Sequence, residues 1–368
     1  MTKDILMTKQ KLTSGSSFKA TTGWTALAGL VAASAIGAWA AAAQAPAPAP
    51  AKPVDTSAYE KKSTSAAPYT SIRVLDTEKM PIPGRMGAIG FGMKGLYESK
   101  IGGGHMRIWY TPPGGKGAGM HYHPGHEWAY NIQGDFVNNE STGPNNWSIL
   151  QRFREGAFLS RPPYSIHGGE NGRMEAFMET QVGAVILLME EMGGGPGSSL
   201  SVDPKTRDLP VADRGGGNPG WKDVKLWATP RIIDTIGGMP FQDVEGSPGL
   251  HAKYLAEDSL HGFRATIYRL DAGAATPAQF RPHYYKQGYQ FFFVINGDLK
   301  IDAYAGPGQK KESYQLTKHF YVERPPMSAM AIAPEKASDA NVVWLEVTYG
   351  KGDKWSETPL AVEAPTYF

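Results

Sequence analysis

Two parts of this chain repeat one another at a fixed distance, and a chain that carries one unit twice folds as two copies of one domain. Gln133-Gly134-Asp135 recurs as Asn296-Gly297-Asp298, and Arg161-Pro162-Pro163-Tyr164-Ser165-Ile166-His167 recurs without a gap as Arg324-Pro325-Pro326-Met327-Ser328-Ala329-Met330, both 163 positions on. Upstream, Arg73-Val74-Leu75-Asp76-Thr77 resembles Arg231-Ile232-Ile233-Asp234-Thr235 at a distance of 158, so a short insertion or deletion separates the two blocks. Within each copy, runs such as Met106 to Tyr110, Trp128 to Ile132, Val185 to Met189, Phe263 to Leu270, Phe291 to Ile295 and Val342 to Tyr349 are rich in β-branched and aromatic residues. Gly and Pro punctuate them, and no long segment keeps a helical period, so the fold class expected is all-β. The 44 glycines and 28 prolines suit the many turns such a fold needs.

The domain limits follow from composition. Residues 71–192 are expected to form an N-terminal barrel and 227–350 a C-terminal one, joined by a Gly-rich linker at 193–226 and followed by a tail at 351–368. Residues 44–70 begin with alternating Ala and Pro and continue into a polar stretch, Asp55 to Ser65, which predicts an extended tether outside the fold. Before it, Lys3, Lys9, Lys11 and Lys19 precede an uncharged, Ala-rich run from Trp24 to Ala43. That is the pattern of a secretory signal peptide, residues 1–43, with Ala41 and Ala43 forming the cleavage site. An uncleaved anchor is the alternative, though the run is only marginally apolar for a bilayer span. Both place the remainder outside the cytoplasm, in the periplasm or secreted.

With 37 basic and 35 acidic residues the chain has no electrostatic footprint for nucleic acid or an anionic surface. It contains no cysteine, so disulfides, thiolate metal sites and cysteine nucleophiles are excluded together. Any metal must rest on His and carboxylate. His121, His123 and Glu127 are all odd-numbered, so a strand that keeps register past Pro124-Gly125 points them to one face, and His167 can join them from a neighbouring strand. Three imidazoles and one carboxylate suit a divalent ion with positions left for water or substrate. His126 points the other way. His105, His251 and His261 have no partner that spacing reveals and are read as bland.

The segment Gly114 to Gly134 ends in H-x-H-x3-E-x6-G, which resembles the first cupin motif. Gly156, Pro162, His167 and Asn171 follow the second, G-x5-P-x-G-x2-H-x3-N, except that Tyr164 stands where the family usually has glycine. The chain is therefore identified as resembling the bicupins across roughly residues 70 to 350. The resemblance implies two double-stranded β-helix (jelly-roll) barrels and one divalent ion per chain on His121, His123, Glu127 and His167. Manganese or iron comes first from the family, while copper, zinc and nickel also suit these donors. In the second copy the same distance puts Tyr284, Lys286, Gln290 and Met330 at the ligand positions, or His283 at the first after a one-residue slip, and none of these sets holds a divalent ion. The second barrel is expected to be metal-free, a scaffold or subunit contact in preference to a second binding pocket.

Bicupins of this kind are mostly small-molecule enzymes: quercetinase-like dioxygenases, oxalate decarboxylases and oxidases, some lyases and isomerases. Trp109, Tyr110, Tyr122, Trp128, Tyr130, Phe136, Phe158 and Tyr164 lie near the ligands in sequence, and any that face the metal would favour a flat enolic or aromatic substrate. Arg161 has a counterpart in Arg324, which has no ligands beside it, and is read as structural. The expectation is a metal-dependent oxygenase of the periplasm, with Glu127 both ligating and taking the substrate proton. A lyase or isomerase, or a non-catalytic binding protein, are the alternatives. The partner is a small molecule, with no nucleic acid or integral membrane protein implied, and a homo-oligomer is left open.

Overall fold

Strands form where the apolar runs put them, and the central strands of the two large sheets are buried on both faces because each lies between a barrel interior and the neighbouring barrel. The computed structural model describes residues 55–66, 68–82, 92–98, 105–113, 121–123, 126–140, 149–162, 165–168, 175–176, 183–190, 200–201, 230–258, 263–285, 288–306, 310–332, 340–349 and 366–367. The signal segment, most of the linker, Tyr164, Asn171, His261 and Lys286 lie outside the described residues. No helix among the described residues is long and apolar enough to cross a membrane.

The large sheet of the first barrel has six strands, ordered Arg231–Asp234, Ala157–Arg161, Glu127–Gly134, Ala184–Glu190, His105–Thr111 and Gly92–Glu98. That of the second has eight, Glu60–Lys62, Arg73–Asp76, Phe320–Arg324, Tyr289–Asn296, Val342–Tyr349, Phe263–Leu270, Leu250–Asp258 and Gln242–Asp243. The repeat is visible here as matched pairings, and it is reciprocal. Arg73–Asp76, from the first copy, pairs with Phe320–Arg324 of the second; its counterpart Arg231–Asp234 pairs with Ala157–Arg161 of the first. Each copy lends its leading strand to the other barrel, so the two barrels are not cut apart at the linker. Part of the expected tether belongs to the fold as well. Glu60–Lys62 pairs with Arg73–Asp76, Thr56 and Ser63 are buried, and Arg73 sits between Glu60 and Glu323 at 3.0 Å from each. Thr366–Tyr367, in the expected tail, pairs with His283–Tyr284, and Leu200–Ser201, in the expected linker, with His121–Tyr122. Backbone pairing recruits these segments, and polar composition carries no sign of it.

The two large sheets pack face to face. Trp128, Tyr130, Ile132, Phe158, Leu187 and Met189 from one meet Phe263, Ile267, Phe291, Phe293, Tyr321 and Val347 from the other in a single core. At its centre the rings of Trp128 and Phe263 stack with centroids 3.6 Å apart. Along Glu127–Gly134 the even positions enter this shared core and the odd ones face the barrel interior, where Ala129 packs with Phe136, Phe153, Leu159, Ile186 and Leu188. Gly134 and Gly297, matched in the repeat, both take φ of 77°, a conformation other residues enter only with strain.

Candidate metal centre

The four predicted ligands come together at one end of the first barrel, but by another route than a shared strand face. His121 is on the short strand His121–Tyr122, and Glu127 opens the next strand, which belongs to a different sheet. His121 and His167 face each other as a bridged pair, with N–H to O distances of 2.7 and 2.9 Å. His123 follows at the end of the short strand. The imidazoles of His121, His123 and His167 each offer a nitrogen within 4.8 Å of the others, and all three side chains are buried.

Their electronic state suits ligation. Burial holds His123 below its ordinary pKa, and burial together with the charge of Arg161 and the neighbouring imidazoles holds His167 well below it. Both are neutral at physiological pH, as a metal ligand must be. His167 Nδ1 lies 3.0 Å from the carbonyl of Ser165, which fixes the proton there and leaves Nε2 as the lone pair aimed at the cluster. Glu127 reaches the same space with Oε2, 3.0 Å from His123 Nε2 and 3.7 Å from His167 Nε2. Its Oε1 accepts from Arg161 Nη1, and Arg161 also donates from Nη2 and Nε to Glu140, at 2.5 and 3.1 Å. Arg161 is thus structural, as the repeat suggested. It also leaves Glu127 a single oxygen for ligation.

Two residues read as bland or not singled out belong here. Glu190, at the end of Ala184–Glu190, forms a second group of donor atoms with His123 and Glu127, all within 4.8 Å of one another. His105 is 3 % exposed and contacts Glu190. Burial works to raise Glu190, but His123, His105 and Arg107 more than offset it and hold its carboxyl below the usual range. No spacing rule leads from His105 to Glu190, because the register of two strands 85 positions apart brings them together. The one available signal was a carboxylate closing the apolar run Val185 to Met189. His126, by contrast, stacks on Trp128 with centroids 4.9 Å apart and is in neither donor group.

Glu127, Glu140 and Glu190 are buried around one buried guanidinium, Arg161, with the half-buried Arg107 beside Glu190. Burial raises the Glu140 carboxyl well above its ordinary range, so Glu127 and Glu190 are the carboxylates that face the imidazoles. A divalent cation balances these two carboxylates and gives the buried ring nitrogens of His123, which have no hydrogen-bond partner, something to bind, so the residues present fit a metal ion.

The aromatic lining is narrower than the sequence suggested. Trp128, Tyr130 and Phe158 point into the core between the barrels, whereas Trp109 and Phe136 face the interior of the first. There a cavity of about 30 Å3 is lined by Trp109, Phe136, Phe153 and Leu188, with Arg161 its charged member.

At the corresponding place in the second barrel the one-residue slip is realised. His283 pairs with Met330 as His121 pairs with His167. His283 Nδ1 lies 2.6 Å from the carbonyl of Arg281, and its Nε2 lies 2.8 Å from Arg324 Nη1. That nitrogen accepts from a guanidinium and is not available to a cation. Burial and Arg324 together hold His283 at about 3.

No family model and no curated protein matches the sequence. Among solved structures, the chain is similar to Streptomyces albus HEPD with 2-hydroxyethylphosphonate and Fe(II) bound, at 11 % identity over 80 % of this chain and 79 % of that one, with a TM-score of 0.51. It also aligns with the Lactobacillus farciminis oxalate decarboxylase formate complex, at 12 % identity over 80 % and 89 %, with a TM-score of 0.49. The likeness is one of fold: two all-β barrels of the jelly-roll kind, one of which holds a histidine and glutamate cluster. The chain has the fold of the cupin superfamily.

Proposed function

We propose that the chain is a metal-dependent cupin enzyme acting on a small enolic or aromatic compound, and that the reaction is an oxygenation. The observation that carries this is the cluster of three buried imidazoles, His121, His123 and His167, joined through His123 to the carboxylates of Glu127 and Glu190. His121, His123, Glu127 and His167 would hold the ion. A divalent ion there supplies Lewis-acid polarisation of a substrate oxygen. HEPD, which shares the fold, carries Fe(II) with its substrate, which puts iron first here and manganese next. The chain's own residues do the rest. Arg161 holds Glu127 in one rotamer so that Oε2 alone faces the pocket, His105 orients Glu190, and the apolar wall from Trp109 to Leu188 keeps water from the interior. Glu127 presents Oε2 both as the donor to the ion and as the acceptor of the substrate proton, so the two roles would be taken in turn.

A metal-dependent lyase or isomerase uses the same donors, and one feature favours it. Glu190 is a second carboxylate beside the pocket, in contact with His105 and 3.7 Å from His123 Nε2, which suits a proton transferred twice. Oxygen uptake by the iron- or manganese-loaded protein with a panel of enols and phenols decides between them. Stoichiometric uptake is the result expected; turnover without uptake establishes the lyase or isomerase.

The same proposal places the protein in the periplasm or outside the cell, on the lysine-flanked alanine run. Intact mass of the exported protein is expected to show an N-terminus at Gln44. A membrane-bound form retaining Trp24 and Trp39 would overturn the cleavage and establish the anchor, and a cytoplasmic full-length protein would overturn the placement.

A further inference from the structure

The charge pattern of the first barrel is inverted in the second. Across the first, four neighbouring strands place His105, Glu190, Glu127 and Arg161 in one row, each opposite the next. The same row in the second barrel reads Arg264, Thr348, Gln290 and Arg324. Two carboxylates have become a hydroxyl and a neutral amide, and a histidine has become an arginine. A cation site has lost its negative charge and gained a guanidinium while keeping its position in the barrel.

A cavity of about 160 Å3 opens at this row, between Arg264 and Arg324 and walled by Tyr268, Phe280, Phe292 and Ile332. Arg324 is held firmly, donating to Gln290 at 2.7 Å, to the carbonyl of His283 at 2.5 Å and to that of Ser328 at 3.1 Å. No carboxylate lies within ion-pair distance of it among the described residues. Arg264 is more open. Its side chain is 45 % exposed, with the carboxylate of Glu257 at 3.8 Å. The carboxylate in the lining is Glu346, whose Oε1 accepts from the Gln290 amide at 3.2 Å and whose Oε2 is buried without a hydrogen-bond partner. Burial raises this carboxyl to about 7 against the pull of both arginines, so the pocket is positive on balance.

We propose that the second barrel binds, without metal, a small organic monocarboxylate whose body is about the size of one six-membered ring. Each part of that description comes from the pocket. Two guanidiniums and a neutral amide select an anion. The aromatic and aliphatic walls select an apolar body, and an apolar cavity of about 150 Å3 is known to admit benzene. Glu346 opposes a second negative charge, so a dianion is disfavoured. This site is independent of the chemistry of the first barrel.

Calorimetric titration of the full chain with benzoate tests the proposal. Benzoate is expected to bind, and benzamide, of the same shape without the charge, is expected not to. Arg264→Gln, on the rim and outside both cores, weakens benzoate about tenfold or more. Glu346→Gln tightens it several-fold by removing the opposing charge. Two neighbouring substitutions with opposite signs cannot come from general damage to the barrel, and metal content stays unchanged in both variants. Absence of benzoate binding at millimolar concentration, equal binding by the wild type and Arg264→Gln, or weaker binding by Glu346→Gln would each overturn the assignment.

Discussion

Combining His121→Ala with His123→Ala should empty the protein of metal, from near one ion per chain to less than about a tenth by elemental analysis, with any activity lost in step. The two imidazoles are half of the donor set, and Glu127 and His167 alone leave most of a divalent ion's shell to water. Single loss of His167 or Glu127 should also lower metal sharply. Glu127→Ala has a second effect, because it takes a carboxylate away from Arg161. Glu190→Gln is expected to be milder, a ten- to hundredfold drop in affinity of the kind typical of residues that orient ligands, about 1.4 to 2.7 kcal/mol. The second barrel supplies the control. Met330→Ala and Gln290→Ala should leave the stoichiometry near one, since His283 already accepts from Arg324. Gln290→Ala also withdraws an acceptor from buried Arg324, at about 1 to 3 kcal/mol of stability. A stoichiometry near two, or metal retained after loss of both histidines, would contradict the account of both barrels.

Trp128→Ala should destabilise the protein by about 3 to 5 kcal/mol, the usual range for a large aromatic removed from a core. Trp128 is 1 % exposed and stacks directly on Phe263 of the other barrel, so the space it leaves is bordered by both sheets. The exchanged strands add a second tie. Arg73–Asp76 and Arg231–Asp234 cannot leave their sheets without opening the barrel that borrows them. A single unfolding transition is therefore expected for the described barrels, shifted to lower denaturant in the variant with an unchanged slope. Two separate transitions, one insensitive to Trp128→Ala, would show that the barrels are stable apart.

The duplication, the all-β class and the positions of His121, His123, Glu127 and His167 were legible because each is a property of spacing. A repeat survives as residues at a constant distance, and a motif survives as residues close in sequence. Spacing could not show that Glu60–Lys62 is a strand, because its residues are polar and its order comes from backbone pairing with Arg73–Asp76. Nor could it sort the aromatics. Trp128 and Trp109 look alike in sequence, yet they face opposite sides of one sheet, and only strand register and the presence of a second sheet separate the core between the barrels from the pocket.

By itself, then, the sequence determined that there are two barrels and which of them has the donors for a metal, since these depend on residue identity at positions the repeat aligns. Tertiary structure alone decided the strand exchange, the partnership of His105 with Glu190, the clamp of Arg161 on Glu127 and the use of His283 as an acceptor for Arg324. The physical reason is common to all four. Each is a pairing between strands distant in the chain, fixed by hydrogen-bond register and by the need to satisfy buried charge, and neither leaves a periodic trace in the residues that take part.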